Sequence, residues 1–211
     1  LGDVYKRQGE GFQMRYSHQR SRMKKEGEPS MLRPNRIVAI ALTHGHLDHT
    51  WGLLPFLQTL SLDGRQQPLT VYGPTSTATR DILETDGIDA RLPEGTASAE
   101  LLNQYRAWFG LGGTSFNLGY EVRWLLGDPK SNRWVEFYED ASNLVWHDAM
   151  PQPEAFTSFR MDAIPTQHSV PSCAWQLSRK KRKGAFNREK ATVAGLSQEE
   201  RKMLSEGVDV E

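Results

Sequence analysis

The stretch LTHGHLDHTWG, Leu42–Gly52, places three histidines and an aspartate within six positions, His44 to His49, directly after the apolar run from Ile37 to Leu42. The chain holds six histidines, so half of them crowd one turn. The apolar run has the length and β-branched character of a buried strand. The pattern His-x-His-x-Asp-His then offers borderline nitrogen and hard oxygen donors, the set that suits zinc. On a loop, side chains two apart can point to a common side, so His44 and His46 can share one ion. Asp48 and His49 lie further round the turn and can serve a second. A helix would fail for the first pair, because residues i and i+2 diverge there by about 200°. A metal site just past a buried strand is the reading that accounts for the cluster.

The turn alone leaves the ligand count open, since catalytic zinc takes three protein ligands plus a water. The remaining histidines are His18, His147 and His168. His168, in PTQHSVPSCAW, follows an expected strand and can reach the same sheet edge. His147, in VWHDAM, sits among aromatic and acidic neighbours and reads as structural or superficial. His18 lies on a basic helix and reads as solvated. Cys173 offers a thiolate, although a lone cysteine inside a strand is usually packed.

Working outward, the polar and basic stretch Arg15 to Lys25 reads as a helix ended by Gly27 and Pro29. Its charges read as a solvated face. Thr50 to Leu60 has apolar residues at helical spacing, with Pro55 tolerated in the first turn. Leu69 to Tyr72 is a strand, and Thr75 to Glu84 a helix with a hydroxyl cap. Ser98 to Phe109 reads as a further helix, capped by Ser98 and stopped by Gly110, Gly112 and Gly113. Strands or hairpin arms are expected at 120–126, 134–138, 144–146, 159–164 and 173–177. This alternation predicts an α/β layered fold.

The 211 residues suffice for one domain with a core, or one domain and an appendage. Net charge is zero, so attraction to nucleic acid has to be local. One cysteine excludes a disulfide framework and fits a reducing cytoplasm. No apolar run approaches the roughly 20 residues of a membrane helix, so no membrane partner is expected. Composition shifts after Ser178: Arg179, Lys180, Lys181, Arg182 and Lys183 form a basic run, followed by a polar, helix-prone tail broken at Gly195. This tail reads as an arm rather than core. The first eight residues, LGDVYKRQ, contain DVYKRQ, which GAT GTG TAT AAG AGA CAG encodes. That string resembles a transposon-based sequencing adapter, so 1–8 is read as an adapter remnant.

Four stretches resemble the metallo-β-lactamase superfamily and, within it, the ribonuclease Z family, which trims tRNA 3′ ends. They are GEGFQ (9–13), with Phe12 in place of threonine; LTHGHLDHTWGLLPFLQTLSLDGR (42–65); LTVYGP (69–74); and QHSVPSCAW (167–175) followed by KGAFNREKA (183–191). The histidine motif is common to the superfamily, whereas its combination with HSVPS and the KGAFNREKA arm is specific. Leu47 and Ala174 stand where glycine is usual, and the likeness is weakest across about 103–159. The resemblance implies an αββα metallo-β-lactamase sandwich, incomplete here, with a partial domain over 9–178 and a protruding helical arm over 179–211. It also implies one zinc on His44, His46 and His168 and another on Asp48 and His49, with Asp48 as proton acceptor. Residues 179–183 would contact RNA. The implied substrate is precursor tRNA, the full-length protein a cytoplasmic homodimer. A bridging aspartate, a last histidine ligand and a further histidine are expected after Glu211, which makes this a fragment inactive alone. The alternatives are another hydrolase of the fold (a cyclic-nucleotide phosphodiesterase, arylsulfatase or lactonase) and a non-catalytic metal- or RNA-binding module.

Overall fold

The apolar run before the histidine turn is the second strand of a six-stranded sheet. The computed structural model describes residues 3–6, 11–28, 33–112, 118–138, 143–180 and 186–206. Its elements run β1 (Asp3–Lys6), α1 (Phe12–Lys25), β2 (Ile37–Ala41), α2 (Leu47–Thr50), α3 (Leu53–Leu62), β3 (Leu69–Pro74), α4 (Thr77–Asp86), α5 (Leu101–Gly112), β4 (Val122–Asp128), β5 (Arg133–Phe137), β6 (Val145–His147), β7 (Phe159–Pro165), β8 (Cys173–Arg179), α6 (Arg188–Val193) and α7 (Gln198–Glu206). The sheet order is β1-β2-β3-β4-β5-β6, and β7 pairs with β8 in a separate sheet. Strands β1 to β4 are parallel, while β5 and β6 add on antiparallel. The chain divides into two units, Leu1–Ser178 and Arg179–Glu211.

Alternation along the central strands produces two cores. Leu69, Val71, Val122, Trp124, Leu126, Val135 and Phe137 join Leu53, Phe56, Leu57 and Leu60 of α3 and Leu101, Leu102, Tyr105 and Trp108 of α5. The opposite face turns Tyr72, Leu125 and Trp134 toward Met161, Cys173 and Trp175 of the β7–β8 pair. Period-two strands thereby bury both faces, as parallel sheets require. Of the four layers expected, helices, a large sheet and a second sheet stand among the described residues.

Several boundaries differ from the sequence reading. The helix expected over Thr50 to Leu60 is two pieces: α2 starts earlier, at Leu47, and α3 starts at Leu53. Trp51, counted on its apolar face, is 61% exposed. Helix α4 is capped by Ser76, whose hydroxyl accepts from the Thr79 N–H at 3.0 Å. Helix α5 begins at Leu101 rather than Ser98, because the backbone first turns at Ala97 to Glu100. It runs through Gly110 to Gly112, since one helical glycine costs only about 1 kcal/mol. The region of weakest resemblance holds α5, β4, β5 and β6, which continue the sheet. Asp3–Lys6, within the stretch read as an adapter remnant, pairs with β2 as the edge strand. Edge pairing uses backbone groups alone and carries no information on the origin of these residues.

Two buried charged residues tie this unit together. Arg65 is 2% exposed and donates to the carbonyls of Pro34, Ile37, Gln67 and Pro68, at 3.2, 2.7, 2.7 and 2.8 Å. Its guanidinium also lies 5.3 Å from the Tyr120 ring centroid. Burial lowers its pKa below the ordinary arginine value. Glu100 is 1% exposed and accepts the Thr75 hydroxyl at 2.6 Å. Burial pushes its carboxyl up to about 7, against the opposing hydrogen bonds from Thr75 and Ser76. A carboxyl raised on folding contributes stability present below its unfolded pKa and lost as pH rises through about 7. Glu100→Gln is therefore expected to stabilise the chain at pH 8 by on the order of 2–3 kcal/mol and to change little at pH 4. Urea unfolding at the two pH values checks this; equal stability of parent and variant at pH 8 refutes it.

In the second unit, Asn187 caps α6, its side chain accepting from the Lys190 N–H at 2.9 Å. Ser197 and Glu200 form a reciprocal capping box at the start of α7: the Glu200 N–H donates to the serine hydroxyl and the Ser197 N–H to the carboxylate. Gly195, expected to break the tail, ends α6 with φ 70°, a left-handed value that glycine takes without strain.

Candidate metal centre

Two loops are stitched together at the carboxyl end of β2. The Leu42 N–H donates to Tyr72 O at 2.8 Å, and Leu42 O accepts the Trp175 indole N–H at 3.0 Å. The Cys173 N–H donates to Thr43 O at 2.9 Å, and His44 bridges antiparallel to Ser172. The start of β8 is thus hydrogen-bonded to the first residues of the histidine turn. The β7–β8 loop is closed at its base: the Thr166 N–H donates to Ser172 O, and the two hydroxyls lie 2.8 Å apart. His168 rides on this loop and is carried against the turn.

The ring centroids of His44 and His46 are 4.9 Å apart, His44 and His168 4.6 Å, and His46 and His168 4.9 Å. One ligand nitrogen from each lies within 4.8 Å of the others. His44 is buried, His46 half-buried and His168 exposed, so the trio opens from the protein toward solvent. Burial first, then the neighbouring His49, His168 and His46, lower the His44 pKa to about 4. It is therefore a neutral imidazole at neutral pH, the form that binds metals. Its Nδ1 lies 3.0 Å from the Thr43 hydroxyl, which can fix the ring and leave Nε2 for an ion. His168 Nδ1 accepts from the Ser169 N–H at 2.9 Å. In that arrangement its proton sits on Nε2, and ligation through Nε2 would exchange the Ser169 contact for the ion. Three convergent imidazoles, one neutral and oriented, fit a divalent transition metal.

Asp48 and His49 stand beside this trio. They lie on α2, whose N-cap is His46, rather than on the loop that carries His44 and His46. His49 Nε2 is 3.1 Å from Asp48 Oδ2, and the His49 ring centroid is 4.2 Å from that of His44. The Asp48 side chain is 76% exposed. The alternative donors lie elsewhere. His147 Nε2 contacts Glu136 at 2.9 Å across the β5–β6 pair. His18 is exposed on α1. Cys173 is buried, and burial raises its thiol to about 12, so it packs as an apolar residue. Arg179 closes β8 and Lys180 follows it, while residues 181–183 lie outside the described residues, as do Gly9, Glu10 and the last five positions.

Sequence reasoning missed the support beneath the turn. Gln104 of α5 is 6% exposed; its amide N–H donates to Gly45 O, and its oxygen accepts the Thr50 hydroxyl at 2.7 Å. Its only sequence signal is a glutamine next to Leu101, Leu102 and Tyr105 on a helix's buried face. Beside the trio, Thr75, Ser76, Lys130, Gln167, His168 and Ser169 help to line an open groove of about 810 Å³.

Residues 30–123 match the metallo-beta-lactamase superfamily. The chain is similar to ribonuclease Z of Methanosarcina mazei, at 29% identity over 160 residues, covering 76% of this chain and 37% of that protein. It is similar to ribonuclease Z of Latilactobacillus sakei subsp. sakei, at 48% identity over 46 residues, covering 22% of this chain and 15% of that protein. A crystal structure of human tRNase Z, short form, aligns with 85% of this chain and 55% of that one, at 21% identity and a TM-score of 0.44. The chain spans little more than a third of the length of the first of these curated relatives.

Proposed function

We propose, from the match of residues 30–123 to the metallo-beta-lactamase superfamily and the similarity to ribonuclease Z over three quarters of this chain, that the protein to which it belongs is a metal-dependent endoribonuclease. Its substrate is precursor tRNA, cut at the 3′ trailer. The observation that carries the reading is the meeting of His168 with His44 and His46 from two loops distant in sequence. No described helix is long and apolar enough to cross a membrane.

A bound pair of zinc ions would supply a water of near-neutral pKa and neutralise phosphate charge. His44, His46 and His168 would hold one ion, and Asp48 and His49 the other. The exposed Asp48 carboxylate is the proton acceptor for the attacking water, steadied by His49 at 3.1 Å. The water oxygen bonds to phosphorus as the bond from phosphorus to the 3′ oxygen breaks. That oxygen takes up a proton, leaving a tRNA 3′-hydroxyl and a trailer 5′-phosphate. The groove beside His168, with Lys130 on its rim, offers a path for the phosphodiester strand. The basic run from Arg179 to Lys183 supplies the local charge that the neutral average conceals, and such contacts to A-form RNA read phosphate and shape.

The experiment is cleavage of precursor tRNA by the protein completed beyond Glu211, with and without residues 179–211. Loss of tRNA cleavage with retained hydrolysis of a small phosphodiester is expected from the deletion, and the 211-residue chain alone is expected to be inactive. Equal effects on both substrates favour another hydrolase of the fold. Turnover by the 211-residue chain at an intact enzyme's rate refutes the need for donors outside it.

A further inference from the structure

We propose that Gln104 is a positioning residue for the metal turn: one buried side-chain amide sets the peptide between the first two histidines and the end of the helix that carries Asp48 and His49. The inference rests on the metal-centre reading above and adds a residue from α5, an element that supplies no donor.

Gly45 lies between His44 and His46, so the orientation of its peptide determines where the His46 side chain leaves the backbone. Its carbonyl accepts the Gln104 amide N–H. A Cβ at Gly45 would stand 1.8 Å from Ala99 O, so the backbone just before α5 occupies the place of a side chain. The turn therefore rests directly on that backbone, and only glycine allows the approach. On the other side, Gln104 Oε1 accepts the hydroxyl of Thr50, the last residue of α2, which is fully buried. The same hydroxyl lies 3.3 Å from His46 O. One planar amide thus ties Gly45 to Thr50 across the four residues His46, Leu47, Asp48 and His49. Glutamine supplies a donor at one end and an acceptor at the other. Ionised glutamate lacks the donor, and methionine has no donor and only a weakly accepting sulfur.

Partners that orient metal-binding loops typically change affinity about 10–100-fold when removed. The test uses the full 211-residue chain, with zinc affinity from chelator competition and the visible absorption band of bound cobalt(II) as readouts. Gln104→Met is expected to weaken zinc about 10–100-fold and to alter the cobalt band, whereas Thr50→Ser should match the parent in both. Circular dichroism confirms that the variants are folded. Thr50→Val removes only the hydroxyl that anchors the amide and should lose affinity a few-fold, which keeps the inference testable should Gln104→Met not fold. Parent-like affinity and cobalt spectrum in folded Gln104→Met, or in Thr50→Val if it alone folds, overturn the proposal. A parent chain that binds neither ion overturns the metal-centre reading itself, and the proposal with it.

Discussion

His168→Ala is expected to weaken zinc binding by this chain about 100-fold while leaving its folding stability within about 0.5 kcal/mol of the parent. The first figure follows from sharing the roughly 10–16 kcal/mol of a zinc site among four ligands, about 3 kcal/mol each. The second follows from position. His168 is exposed, and among the described residues its hydrogen bonds reach only the adjacent Ser169. The loop beneath it is held by Thr166 and Ser172, which the substitution does not touch. His44→Ala would be a poorer probe, because His44 is buried and its loss would disturb packing as well as ligation. Chelator competition measures the affinity and urea unfolding the stability. Unchanged zinc affinity would remove His168 from the site and return attention to His147.

Arg65→Met is expected to have the opposite profile: a loss of about 3 kcal/mol or more in stability with little change in metal affinity of the folded chain. The guanidinium donates to four carbonyls, and three of its bonds are 2.8 Å or shorter. Methionine fills similar volume but leaves all four carbonyls without their donor, the Ile37 carbonyl in a buried position. Lysine does not rescue the site, because one ammonium cannot reproduce the planar fork. Ile37 O, one of the four, opens β2, whereas the histidine turn follows the other end of that strand. The damage is thus concentrated away from the metal centre. A shift in the urea midpoint at unchanged slope is the expected signature. A loss below about 1 kcal/mol would mean that water or rearranged backbone replaces the arginine.

Much of this architecture was legible because its causes are local. Alternation in β3, β4 and β5, the hydroxyl at Ser76 and the stop at Gly195 each act over a few residues, and each appears where the residues direct. The division of the first helix after the turn was not legible, because Leu47 to Leu62 keeps apolar spacing across the break. Nor were Arg65, Glu100 and Gln104. A charged or amide side chain in an otherwise apolar helix or loop reads as exposed until its distant partners are known.

The sequence by itself singled out His44, His46, Asp48 and His49 as candidate donors, because their placement follows from a short strand and the turn next to it. It favoured His168 over His147 as the third donor, but nothing local could place a residue so distant in sequence beside the turn. Only the tertiary structure brings the two segments together. Strand β8 hydrogen-bonds to the start of the histidine turn and brings His168 with it, whereas His147 pairs with Glu136 across the β5–β6 ladder. Local periodicity dictates the face a side chain takes within its own element. Which elements meet depends on the burial of both faces of the sheet at once, and that is a property of the whole chain.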